Sequence, residues 1–159
     1  MAKVYLICGK ICCGKSTYAK QLQADNKAVI LSVDEIMLAV FGLYAGEKHD
    51  EYADRVRNYL FEKSLEVIKA DVNVILDWGF WTSAGRNEAK EFYRNRNIEC
   101  ELHYIDVSND IWKARINQRN QSVNAGETTA YIIDNNLARK FESRFEQPTK
   151  EEIDVWVDE

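Results

Sequence analysis

Eight consecutive residues, Gly9-Lys10-Ile11-Cys12-Cys13-Gly14-Lys15-Ser16, constrain this chain more than any other stretch. They read G-x-x-x-x-G-K-S. They follow a strand-length apolar run at residues 3–8 and open a helical pattern over residues 15–23. A strand, a glycine loop and a helix in that order make a cradle for a phosphate chain. Backbone N–H groups converge on it and the helix N-terminus adds positive potential. Gly9 and Gly14 let the backbone turn and approach closely. The motif predicts that Lys15 reaches the β- and γ-phosphates, that the Ser16 hydroxyl ligates Mg²⁺ and that Thr17 donates to the α-phosphate. The expected ligand is a nucleoside triphosphate, ATP with Mg²⁺. The plain alternative is a glycine turn that binds nothing.

The rest of the chain repeats the alternation of strand and helix. Further strands are expected at residues 28–32, 72–76, 99–106 and 153–157. Helices are expected at 36–41, 51–70, 83–95 and 109–120, with a loop at 42–50 and a polar segment at 121–127. Ile133, Leu137, Phe141 and Phe145 fall four apart and form one more apolar helix stripe. Such alternation predicts an α/β fold around a parallel sheet. A chain of 159 residues, 46% apolar, fits one domain over 1–159 with one core.

Charge and cysteines narrow the function class. The net charge of −5 argues against a nonspecific nucleic-acid binder, though a small basic pocket is compatible with it. No apolar run reaches membrane-span length and no secretory leader is read before the first strand. Cys8, Cys12, Cys13 and Cys100 lack zinc-ligand spacing and do not suggest a disulfide scaffold. Reduced thiols and a cytoplasmic setting are the expectation. Cys12 and Cys13 have two readings: small residues that fit the loop, or thiolates activated by the helix N-terminus and Lys15, whose oxidation would block nucleotide binding.

In open α/β sheets, chemistry gathers at the carboxyl ends of the strands. Asp34 follows the second strand. It reads either as the base that accepts a substrate hydroxyl proton or as the cap of the helix that begins near Glu35. Asp77 ends the third, where it can hold Mg²⁺, position the substrate or simply turn the chain. The aromatics of Trp78-Gly79-Phe80-Trp81 read equally as a pocket wall and as core. Arg86 reads as an anion-binding residue or as a solvated one. Arg115 and Arg119, four apart, share a helix face at the edge of the polar segment. They suit a lid that closes over the triphosphate, or a surface ion-pair helix. His103 reads as structural, and His49 has no role.

Together these residues resemble the small P-loop kinases of the AAA_33 group, the zeta-toxin and polynucleotide-kinase-like P-loop NTPases. The resemblance rests on residues 9–16, Leu31-Ser32-Val33-Asp34-Glu35, Ile75-Leu76-Asp77, Arg86, the Arg115/Arg119 pair and Phe145-Glu146-Gln147-Pro148. It implies a three-layer α/β/α domain with a five-stranded parallel sheet and a helical lid over about 115–145. It also implies Asp34 as general base, Arg119 or Arg115 as lid arginine, and the Pro148 region near the adenine. One residue departs from the pattern. Related polynucleotide kinases often carry, three positions after the base, an arginine that grips a phosphate; Met37 stands there. The expectation is therefore transfer of the γ-phosphoryl of ATP to the hydroxyl of a small molecule. The alternatives are a polynucleotide 5′-hydroxyl kinase and a nucleotide-dependent switch or ATPase acting on a protein partner.

Overall fold

A computed structural model describes residues 1–128 and 130–159. The elements run β1 (Val4–Gly9), α1 (Lys15–Asp25), β2 (Ala28–Leu31), α2 (Val33–Phe41), α3 (His49–Lys69), β3 (Asn73–Gly79), α4 (Ser83–Arg94), β4 (Cys100–Asp106), α5 (Asn109–Asn124), α6 (Asn135–Arg144) and β5 (Val155–Asp158). The five strands form one parallel sheet in the order β2-β3-β1-β4-β5.

The three layers follow from the period of two along a strand. Val4, Leu6 and Cys8 of β1 point to one face, where they meet Phe61 of α3 and Ala89 and Tyr93 of α4. Tyr5 and Ile7 point to the other, against Ala19 of α1, Trp112 of α5 and Phe141 of α6. All six residues of β1 are buried, as expected of a central strand covered on both faces. The helix α2 packs through Val33 and Met37 on Leu60 of α3.

Among the boundaries that differ from the sequence expectation, three bear on the site. The strand β3 continues to Gly79, so Asp77 lies inside it rather than at its end. The helix α5 runs on to Asn124, through half of the segment read as polar loop. Ser108 caps its start, and no glycine or proline interrupts it before Gly126, which takes a φ of 72°. The helix α2 starts at Val33 with Ser32 as its cap, the Ser32 hydroxyl accepting from the Glu35 N–H at 3.2 Å. Asp34 is therefore in the first turn and is not the capping residue.

Candidate active site

The loop between β1 and α1 has the conformation its glycines permit. Gly14 sits at φ 103°, ahead of a first helical turn that carries no acidic residue. The positive end of α1 is thus not offset by a carboxylate of its own first turn. A Cβ at Gly9 would stand 2.6 Å from Cys13 Sγ. The Lys15 ammonium donates to the Lys10 carbonyl at 2.8 Å, which folds the side chain back over the loop.

Ser16 Oγ donates to Asp77 Oδ2 at 2.9 Å. A register shift between β1 and β3 makes this contact. Leu6 pairs with Leu76, but Cys8 pairs with Gly79, so β3 spends one more residue than β1 at the level of Asp77. Such an extra residue re-aims a side chain at the rim of a sheet. Burial pushes the Asp77 carboxyl up from its ordinary range; Lys15 and the Ser16 hydroxyl oppose this, and the charge of Asp34 adds to it. Asp34 therefore lies within electrostatic reach of Asp77. The Ser16 hydroxyl and the Asp77 carboxylate are hard-oxygen ligands of the kind suited to Mg²⁺, which keeps few protein ligands beside a phosphate. Ser16 and Asp77 are brought into contact beside Lys15, and Asp34 acts on Asp77 through its charge. Thr17 is exposed on the first turn of α1.

The two tryptophans separate. Trp78 donates its indole N–H to the Leu31 carbonyl at 2.8 Å and packs edge-on to Phe61, with Phe80 stacked 5.6 Å away. It ties β3 to β2 and α3, which corrects its reading as a pocket wall. Trp81 stays beside the phosphate loop. A Cβ at Gly79 would stand 2.8 Å from its indole nitrogen and 3.5 Å from Lys15 Cε. At φ 79°, in so narrow a space, that position requires glycine. The Trp81 ring meets Phe141 of α6 at 4.8 Å.

Arg86 is also corrected. Only 1% exposed, it donates to both Glu152 oxygens and to the carbonyls of Phe80 and Glu146. Its guanidinium is a buried strut between α4 and the C-terminal segment and has no face for a substrate. The Pro148 segment accordingly runs along the start of α4, the Glu146 N–H donating to the Trp81 carbonyl at 2.7 Å. Met37 is 1% exposed and turned into the core, so it offers no donor to a substrate phosphate.

The arginines of α5 differ from each other. Arg115 donates to the Cys13 carbonyl and pairs with Glu159. Arg119 has a buried Nε with no partner among the described residues. The sequence reading did not foresee how closely α5 braces the loop. The Trp112 indole donates to the Ile11 carbonyl at 2.6 Å, and Lys10 Nζ donates to Asn109 at 2.9 Å. The Cys12 thiol faces the Arg115 carbonyl at 3.5 Å. Trp112 supplied the only signal, as an indole N–H on an apolar helix face needs an acceptor.

The family model described as AAA domain, AAA_33, matches residues 4–146. A search of curated proteins found no significant match. Among solved structures, a putative kinase from Chloroflexus aurantiacus J-10-fl superposes with a TM-score of 0.72 at 15% identity, over 99% of this chain and 85% of that one. A gluconokinase from Sinorhizobium meliloti 1021 gives 0.65 at 13%, over 98% and 82%. Kti12 of Chaetomium thermophilum, in complex with ADP-AlF3, gives 0.68 at 16%, over 98% and 88%. At these identities the likeness establishes a shared fold.

Proposed function

The chain belongs to the AAA_33 family of AAA domains, and from that premise we propose that it is an ATP-dependent phosphotransferase acting on a hydroxyl of a small molecule. The observation that carries this reading is the Ser16–Asp77 contact beside Lys15, with Asp34 in electrostatic reach. A carboxylate held on the loop's hydroxyl, with a second one in reach by charge, suits an in-line transfer between a phosphate and an incoming hydroxyl.

Each residue then has a role. The backbone N–H groups of residues 9–17 cradle the phosphates and Lys15 neutralises charge on the transferring end. Ser16 and Asp77 would hold Mg²⁺, which when bound supplies charge neutralisation on the phosphate oxygens. Asp34 accepts the proton of the acceptor hydroxyl. Arg119, with its unpartnered Nε, donates to the γ-phosphoryl, and Arg115 steadies the loop through the Cys13 carbonyl.

A small acceptor is favoured over a polynucleotide by the burial of Met37 and by the net charge of −5. The gluconokinase neighbour is consistent with it. Among the described residues no helix is long and apolar enough to cross a membrane, and the four free thiols support a reducing, cytoplasmic setting. The test is ADP release measured against a panel of sugars, nucleosides, amino alcohols and 5′-hydroxyl oligonucleotides. Acceptor-dependent release that is lost in Lys15→Ala supports the transferase. Release stimulated only by a protein partner supports a switch, and release stimulated by the oligonucleotides alone supports a polynucleotide kinase.

A further inference from the structure

A groove of about 360 Å³ opens between the α2–α3 connection, the start of α3 and the segment that leads into α6. Its lining includes Tyr44, Glu47, His49, Asp50, Tyr131 and Lys140. None of these has a role in the sequence reading, yet the groove adjoins α2: Ala45 of its lining packs on the Val33 and Met37 cluster, and Asp34 follows Val33 in the first turn of that helix. The charge of Asp34 acts on the Tyr131 phenol, whose pKa is raised first by burial and then by that carboxylate.

We infer that this groove is the acceptor subsite, and that it takes a small hydroxylated ammonium compound of the amino-sugar or amino-alcohol class. The inference rests on the phosphotransferase reading. Three features select the class. The volume is at the lower end of the range for small-ligand sites, roughly 300–1,000 Å³. The His49 and Tyr131 rings meet edge to face at 5.9 Å, and Tyr44 is 82% exposed. Aromatic faces attract ring C–H groups and cations. The charged lining is acidic: Glu47 and Asp50, with Asp34 beyond, against the single Lys140. Among the described residues neither Glu47 nor Asp50 belongs to an ion pair. An anionic acceptor would meet net repulsion there, and an ammonium group would find two carboxylates.

The chain has two histidines, and His103 is buried on the other side of the sheet from α3. Their Hε1 signals in ¹H NMR therefore separate the groove from the core. The full chain, with Mg²⁺ and AMPPNP, is titrated with glucosamine, glucose and gluconate, and ADP release is followed in parallel with ATP. Glucosamine is expected to move the His49 signal and leave that of His103. Gluconate should bind at least about tenfold more weakly, on the scale of one charge-assisted hydrogen bond. Glu47→Gln/Asp50→Asn, an exposed pair, should weaken glucosamine by about tenfold and leave glucose nearly unchanged. Gluconate binding as tightly as glucosamine, or a His49 signal that glucosamine leaves in place, overturns the inference. ADP release driven by a hydroxyl acceptor without movement of His49 overturns the groove and keeps the transferase. Movement of His49 without acceptor-driven ADP release from any compound keeps the groove as a binding site and overturns the transferase.

Discussion

Ser16 Oγ and Asp77 Oδ2 lie 2.9 Å apart, so the hydroxyl that ends the glycine loop and the carboxylate of β3 share one point. This arrangement holds a carboxylate where burial disfavours its charge. Its folded pKa is raised, so the folded protein binds a proton there more readily than the unfolded chain. The contribution to stability is complete below the ordinary carboxylate range and is lost as pH rises through the raised value. Asp77→Asn is therefore expected to raise Tm at pH 7 and to lose that advantage as pH falls towards 4, while Mg²⁺-dependent turnover drops by about a hundredfold or more. Thermal unfolding across pH, paired with turnover, checks both. A lower Tm at pH 7 would show that the Ser16 bond outweighs the burial.

Arg86→Leu should cost about 3 kcal/mol or more in urea unfolding, because it leaves Glu152 without its cation. Burial acts to raise the Glu152 pKa, but the bonds from Arg86 and the Thr149 N–H outweigh it and hold it below the usual value. That stability is present above the unfolded carboxylate value and disappears as pH falls through the depressed one. The wild type should lose stability through this acid window more steeply than the variant. At temperatures where both are folded, kcat/KM should agree within about threefold; a larger loss would return Arg86 to the substrate site.

Trp112→Phe removes one N–H from the Ile11 carbonyl and keeps most of the ring packing. About 1 kcal/mol of stability should go with it. If α5 braces the loop as its contacts suggest, nucleotide Kd measured calorimetrically rises several-fold as well. An unchanged Kd with the same loss of stability would make the contact purely structural.

Cys13 is fully buried, and burial pushes its thiol up against the opposing charges of Lys15 and Arg115. Cys8 is pushed up to about 12 by the same cause. Neither forms thiolate readily near neutrality, which weakens the oxidation reading for Cys13. Mass spectrometry after mild peroxide treatment of the folded protein is expected to find Cys13 intact and nucleotide binding retained. Oxidised Cys13 with binding abolished would restore a redox role.

The strand and helix order was legible because β1 and β3 carry continuous apolar runs and α4 and α6 carry clear apolar stripes. The loop at 9–16 was legible because its chemistry is written in consecutive residues. Asp77 and Asp34 read as strand-end carboxylates, but β3 runs on to Gly79 and Asp34 lies in the first turn of α2; the sequence could not show the extra residue in β3 beside Ser16. Arg86 and Trp78 were misread for one reason. A polar or aromatic residue near a site looks the same in sequence whether it faces the pocket or the core, and long-range partners decide: Glu152 for one, the Leu31 carbonyl for the other. The groove around His49 and Tyr131 was not legible, since it joins segments about eighty positions apart.

Phosphoryl transfer with Asp34 as base is tested most directly by Asp34→Asn. With the best acceptor from the panel, kcat should fall by about 10²–10⁴, the range for loss of a general base. ATP Kd, measured separately by calorimetry, should stay close to that of the wild type, because the loop that holds the phosphates is untouched. Retained turnover, or a loss of ATP affinity as large as the loss of turnover, would contradict it.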